Sequence, residues 1–439
     1  MGDILVDKLI KLPEFLVTDI YQNDSDMGIY VETVNRPDYC PICGLAYPDL
    51  VIYKSRQQIV RDLNIHNQRV SLFIKRHYYR CKECSGCFAE PLQCIDGKNR
   101  MTIRLRNYIA EKAKTTPFST LENDLMISHT TIRKIFLEEV ASLPSLSELQ
   151  TPRVLGIDEI CLMTNNNYKR KQPWAVIANG EERTVMDMLK DRSKPSIIKA
   201  LQSLQQPSNV EVVTMDMWSG YRNAVYETLP NAIVVIDKFH IVKMLTEQLD
   251  NMRRRYSRLG PANLKRNRAI FLMREDKLTP HARELRQQWF SEYPKLEIAC
   301  RLTENFYKIY DSSNRQEAEE RYLDWKKSIP YGDSEFNGFA MIPSTIRRCE
   351  KEVFNYFDEP ETNAFVEGLN SVIRGIATQG RGYDFDVLRG KVLFTAGRRR
   401  KMPPLNYDWA YFVSMDDLYD YGIPFERIRE AIRHGCYKF

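Results

Sequence analysis

The segment from residue 153 to 237 leaves the chain the least freedom in how it folds. Its apolar runs RVLGIDEICL, PWAVIAN and RTVMDML are short and closely spaced, as strands are. A helical stretch, SIIKALQSL, follows, then a strand, VEVVTMDM, a helix from Trp218 to Leu229, another strand, AIVVID, and a long helical region. The first run also carries a problem. Asp158 and Glu159 stand side by side in it, and neighbours in a strand face opposite ways, so one acid lies beside Val154 and Ile160 and the other beside Leu155 and Ile157. A carboxylate among such neighbours costs on the order of several kcal/mol unless it is paired, protonated or bound to a cation. Alternation alone does not choose between the two acids.

Three strands followed by alternating helix and strand are the order of an RNase H-like sheet in an α/β protein. That order places Asp158 on the first strand and Asp216 at the end of the fourth, with those two strands adjacent. Asp216 precedes Trp218-Ser219-Gly220-Tyr221, a strand-to-helix corner where a side chain can point into a cleft; helix N-capping is the plain alternative. A third acid lies in ETNAFVEGLNSVIRGI. There Val366, Leu369, Ile373 and Ile376 share one helical face, while Asn363, Glu367, Asn370 and Arg374 share another. Polar stripes commonly face solvent, but one rich in asparagine is an unusual solvent face. Three carboxylates on separate elements suit a pair of Mg²⁺ or Mn²⁺ ions about 4 Å apart, an arrangement for phosphoryl transfer.

Six of the ten cysteines fall between residues 40 and 94. Cys40-Pro-Ile-Cys43 and Cys81-Lys-Glu-Cys84 form two C-x-x-C pairs able to close a four-sulfur structural Zn²⁺ site, with QRVSLFIKRHYYRC as the strand that delivers the second pair. Cys87 either substitutes for Cys84 or is a spare thiol, and Cys94 is likewise unassigned. From residue 99 to 140 the apolar positions Leu121, Leu125 and Ile127, a polar break at Ser128-His129, and Ile132, Ile135 and Phe136 suit a helix-turn-helix or a plain helical hairpin. Its second helix would offer Thr130, Thr131, Arg133 and Lys134 to DNA. LPSLSELQTP then reads as a linker.

Lysine and arginine number 64 against 58 acids, a mild excess whose distribution matters more than its size. The run from Asn251 to Glu275, which holds Arg253, Arg254 and Arg255, and the cluster GRRRK at 397–401 are candidate phosphate contacts, although either could be a solvated helix face. With 43% hydrophobic residues the chain is globular, and no apolar run approaches the roughly 18 residues of a membrane span. The start, MGDILVDKLIKLPEF, lacks the features of a signal peptide, so a cytoplasmic protein with no membrane partner is expected.

Taken in order, GIDE, TMDMWSGY, VIDKFHIVK and NAFVEGLNSVIRGI, preceded by the paired cysteines and YRCKECSGCFAE, resemble bacterial insertion-sequence DDE transposases of the ISL-three (ISL3) type. The resemblance implies Asp158, Asp216 and Glu367 as metal ligands, with Asp237 and His240 as active-site support; a helix cap with a packed histidine is the plain reading of that last pair. It also implies a catalytic domain split by a helical insertion, in which Ile298, Leu302, Phe306 and Ile309 mark one amphipathic helix. The expected segments are a zinc-binding domain (1–95), a helix-turn-helix (96–145), the catalytic domain's first part (150–250), the insertion (251–355), the catalytic domain's final part (356–400) and a tail (401–439) of no assigned role. The implied function is binding of double-stranded DNA at the element's terminal inverted repeats, metal-dependent cleavage and strand transfer, by a nucleoid-associated homodimer or larger assembly. A non-catalytic DNA-binding regulator and a nuclease that cuts without joining are the alternatives.

Overall fold

The computed structural model describes residues 10–162, 173–259, 263–380 and 382–397, within a compact unit that ends at Gly397. The expectations for Arg398–Lys401 of the basic cluster and for the tail 401–439 lie outside the described residues.

The N-terminal part is a seven-stranded sheet of β1 (Phe15–Gln22), β2 (Asp26–Thr33), β3 (Leu50–Ile65), β4 (Gln68–Cys81), β5 (Cys87–Ala89), β6 (Ile95–Asp96) and β7 (Met101–Thr102), in the order β1-β2-β4-β3-β7-β6, with β5 on β4. Every second residue of β4 from Val70 to Ile74 is buried, which gives the sheet its core with Ile29, Val31 and Val60. β3 and β4 form a long hairpin whose two turn residues, His66 and Asn67, both have left-handed backbone, as a two-residue connection between twisted strands requires. At the hairpin's open end Leu50 lies opposite Cys81, so the second cysteine pair arrives beside the loop that bears the first.

Three helices follow, Ile103–Lys112, Phe118–Leu125 and His129–Ala141, packed on Leu105, Ile109, Phe118, Leu121, Leu125, Ile132, Ile135 and Phe136. The second stops where Met126 turns left-handed (φ 52°), and the third starts where the Ser128 hydroxyl accepts the Thr131 N–H. Those two caps define the short break read from the sequence.

The central sheet comprises β8 (Val154–Ile160), β9 (Trp174–Asn179), β10 (Thr184–Leu189), β11 (Val212–Met215) and β12 (Ile233–Ile236), ordered β10-β9-β8-β11-β12. β8, β9 and β10 are antiparallel neighbours, while β11 runs parallel to both β8 and β12. On one face Leu155, Ile157, Val213 and Met215 meet helices Lys194–Gln202 and Ser219–Thr228. On the other, Ile160, Val176 and Ala178 meet Val366 and Ile373 of helix Ala364–Gly380 and Leu388 and Val392 of helix Phe385–Thr395. Between β12 and helix Ala364–Gly380 the elements described are all helical, from Lys238–Leu259 to Glu350–Phe354. Helix Pro294–Tyr310 buries Leu302, Phe306 and Ile309, as its periodicity predicts.

Two features lock these parts together. A β-carbon at Gly156 would lie 2.6 Å from Val366 and 2.7 Å from Phe365, so glycine lets helix Ala364–Gly380 settle directly on β8. Lys391, 2% exposed, reaches from helix Phe385–Thr395 to the carbonyls of Ala113 (2.7 Å) and Thr116 (2.9 Å), among the rings of Phe118, Phe136 and Tyr383. Burial without an anion pulls that ammonium down to about 8.

Candidate active site

Strand register builds the site. Met215 is paired with Ile157 on one side and with Ile236 on the other, so the next residue of each strand, Asp158, Asp216 and Asp237, falls in one row across β8, β11 and β12. All three are buried on the face covered by helix Ala364–Gly380, at the carboxyl ends of parallel strands, where α/β sheets place their ligands. The alternation that left two acids open in β8 sends Asp158 to this face. Glu159 goes to the opposite one, where it ion-pairs with Arg192, whose guanidinium stacks 4.5 Å over the Trp218 ring.

Each aspartate is held by nearby N–H groups. Asp158 Oδ1 accepts from the Glu159 N–H (2.8 Å) and Oδ2 from Asn370 Nδ2 (2.9 Å). Asp216 accepts the Trp218 N–H (2.9 Å) in a turn just ahead of helix Ser219–Thr228; the N-cap of that helix is Trp218, with no side-chain cap, so the plain capping alternative does not describe this carboxylate. Asp237 accepts the Phe239 N–H at 3.3 Å, and its Oδ2 lies 3.9 Å from His240 Nδ1. Ligand atoms of Asp158, Asp216 and His240 all lie within 4.8 Å of one another. Glu367, half-buried on the covering helix, is outside that group; His240, expected only as support, is inside it.

Burial raises the carboxyls. Asp158 is pushed up to about 7, chiefly by desolvation, with the charges of Asp216 and Glu367 adding to it and the Glu159 N–H and His240 opposing it. Asp216, Asp237 and Glu367 are raised as well, each first by burial, with His240 opposing in all three. Asp237 Oδ2, His240 Nδ1 and Asn370 Oδ1 are buried without hydrogen-bond partners. Crowded carboxylates beside unpartnered polar atoms are a donor set that fits a divalent cation, which would relieve both the repulsion and the missing contacts.

The cysteines make a second, separate site. Cys40, Cys43, Cys81 and Cys84 converge, with Cys40 Sγ and Cys84 Sγ 3.8 Å apart. That separation is far beyond a disulfide, but it is the edge of a tetrahedron with Zn–S bonds of about 2.3 Å. The Cys43 backbone N–H, aimed at Cys40, helps lower that thiol to about 7, while Cys84, despite the Gly86 N–H, is pushed up to about 12 by burial and the neighbouring thiols. The crowded sulfurs thus hold their protons unevenly until a metal replaces them. Cys87, the possible substitute, is exposed at the start of β5 and lies outside the group, because the turn that returns Gly86 O to the Cys81 N–H presents Cys84 instead. The residues therefore fit a structural Zn²⁺ held by four thiolates.

The expected DNA contacts divide. Thr130 and Lys134 are exposed on helix His129–Ala141, Lys134 near Asn99 (3.1 Å). Thr131 is half-buried beside the Ser128 cap, and Arg133 is paired with Asp384 (2.8 Å). Arg254 and Arg255 are exposed, but the expectation for Arg253 is corrected. It is 3% exposed, bound to Asp250 (2.7 Å) and to Leu264 O (3.0 Å), and so holds helix Lys238–Leu259 to the segment after it. Consecutive helical residues point about 100° apart, and of these three arginines Arg253 is the one on the inward face.

Sequence reasoning singled out Asn363 and Asn370 only as members of a stripe; both are buried, Asn370 on Asp158. It missed Gly156, although glycine inside a strand signals close backbone approach, and it missed Arg192, for which no local signal exists.

A mixed α/β chain with an acidic row at its strand ends and a four-thiolate knuckle is the class that the geometry defines. Residues 155–392, more than half of the chain, match the ISL3-type DDE domain family described as "Transposase", and residues 36–84 match the zinc-finger of transposases IS204, IS1001, IS1096 and IS1165. The chain belongs to the ISL3-type DDE transposase family and is a DNA transposase. It is 22% identical over 373 residues, 81% of this chain and 88% of the relative, to the transposase for insertion sequence element IS1001 of Bordetella parapertussis. Its family implies a divalent metal at the acidic site and DNA as its partner, and no described helix is long and apolar enough to cross a membrane.

Proposed function

We propose that the protein binds the terminal inverted repeats of its insertion sequence, cleaves phosphodiester bonds there and joins the freed 3′-hydroxyl to target DNA. The observation that carries this reading is the row Asp158, Asp216 and Asp237 beneath the helix that bears Glu367. Asp158, Asp216 and Glu367 are the catalytic carboxylates and ligands of Mg²⁺ or Mn²⁺. Bound there, such ions would activate the attacking oxygen and stabilise the leaving one. Asp237 and His240 support the site. Hard cations prefer oxygen, so the imidazole beside Asp237 serves to hold the carboxylates' geometry.

In this reading the sheet of β8–β12 with helix Ala364–Gly380 is an RNase H-like domain (150–250 and 356–400) split by the helical insertion 251–355. The zinc domain (1–95) and a helix-turn-helix (96–145) recognise DNA, with Thr130, Thr131, Lys134, Arg254 and Arg255 on phosphates or base edges and Arg133 released from Asp384 to join them. Bringing two element ends together calls for a homodimer or larger assembly on DNA, where the protein would be found with the nucleoid.

The test is incubation with DNA carrying both element ends in Mg²⁺, comparing wild type with Asp158→Asn, Asp216→Asn and Glu367→Gln. Each variant should bind the ends but fail to cleave. Cleavage at the wild-type rate by all three would overturn the site, cutting without joining would mark a nuclease, and binding without cutting by wild type would mark a regulator.

A further inference from the structure

We infer that Asn370 is a positioning residue that fixes the Asp158 carboxylate for its cation, an inference resting on the reading of Asp158 as a ligand. Helix Ala364–Gly380 presents Glu367 and Asn370 one turn apart, with Asn363 a turn before them. The two asparagines hold different things. Asn363, fully buried, accepts from the Thr214 hydroxyl (2.9 Å) and donates to Ile157 O (3.4 Å), fastening the start of the helix across β8 and β11. Asn370, 3% exposed, donates through Nδ2 to Asp158 Oδ2 itself (2.9 Å).

A carboxylate only accepts hydrogen bonds, so the amide has to turn its NH₂ group towards Asp158. With the Glu159 N–H on Oδ1 and Asn370 on Oδ2, each carboxylate oxygen is held by one donor and keeps a lone pair for a cation. The plane of the group is thereby fixed from two sides. Few other side chains could do this. A lysine would neutralise Asp158 and compete with the cation, an acid would add charge to an already crowded row, and an apolar residue would leave the carboxylate free to rotate. Asn370 Oδ1 is buried and has no hydrogen-bond partner, so the amide's one satisfied role here is as a donor. The coupling also reaches Glu367. Glu367 rides on the same helix, which Asn363, Val366 and a weaker Asn370 Nδ2 contact to Glu159 O (3.5 Å) also hold on β8, so a rotation that broke the Asn370–Asp158 bond would move Glu367 with it.

Mn²⁺ alone, titrated calorimetrically into the full-length protein, tests this, with thermal unfolding in EDTA reporting fold integrity. Asn370→Ala should raise the Mn²⁺ Kd about 10- to 100-fold, the usual effect of losing a partner of a metal ligand, and Asp158→Asn should abolish measurable binding at this site. Wild-type Mn²⁺ affinity in a folded Asn370→Ala protein, with binding lost in Asp158→Asn, overturns the role of Asn370. Unchanged binding in Asp158→Asn overturns the site itself. Should Asn370→Ala melt early in EDTA, Asn370→Leu fills the same space without a donor and carries the same expectation and the same refutation.

Discussion

Replacing Asp158 by asparagine should make the metal-free protein more stable in alkaline solution. Burial on β8 lifts the Asp158 carboxyl from 3.8 to about 7. Because its folded value lies above its unfolded one, the group favours the fold below about pH 4, and that contribution is lost as pH rises through about 7. The whole interval is worth about 4 kcal/mol. Asparagine keeps the shape but offers one acceptor oxygen where Asp158 uses two, for the Glu159 and Asn370 N–H groups, so about 1 kcal/mol of hydrogen bonding is forfeited. The two terms nearly cancel at about pH 5 and leave a net gain of about 3 kcal/mol at about pH 8.5, a rise on the order of 5 °C in melting temperature. Calorimetric unfolding in EDTA at both pH values measures this directly. Adding Mn²⁺ should reverse the order, since only the wild type binds it. An Asp158→Asn protein no more stable than wild type at the higher pH in EDTA would refute the claim that this strand pays for a buried charge.

Gly156→Ala should destabilise by about 1–3 kcal/mol in urea unfolding, because its methyl meets Val366 and Phe365 and displaces the helix that carries Glu367. Cys84→Ser should cut bound zinc sharply in elemental analysis of reduced protein, whereas Cys87→Ser should leave it intact. Lys391→Ala leaves two carbonyls unpaired and a cavity among three rings, and should cost about 3 kcal/mol in the same unfolding assay. Lys134→Ala should weaken binding to all DNA sequences alike and reduce the salt dependence of binding by about one phosphate contact.

The parts legible in the sequence were those fixed by local periodicity. The strand QRVSLFIKRHYYRC runs the full length expected, the strands from Arg153 to Ile236 are where the apolar runs place them, and the alternation around Asp158 and Glu159 correctly separates two faces. What stayed hidden depends on partners distant in the chain. Arg253 reads as a cation for phosphate, and only the fold supplies the buried Asp250 carboxylate that Arg253 and Arg268 hold below its ordinary range against the pull of burial. The Asn363 and Asn370 stripe has the pattern of a helix face, but what covers that face is 212 residues away for the Asn370–Asp158 contact. His240 is in the first turn of its helix, and its approach to Asp158 and Asp216 follows from a strand register that no single stretch of sequence contains.

Lys391 bears on how the three helices and the central sheet are held together. Its ammonium is sunk into the end of the first of the three helices, and Gly390 beside it brings helix Phe385–Thr395 against Phe136 and Val140 of helix His129–Ala141. The same helix Phe385–Thr395 packs on the central sheet, so one helix touches both the three-helix cluster and the sheet that carries the acidic row. If the three helices read a DNA end and the acidic row cuts it, as proposed, this shared helix would set the spacing between the two, and one base pair inserted between the sequence read and the bond broken would shift that bond by about 3.4 Å.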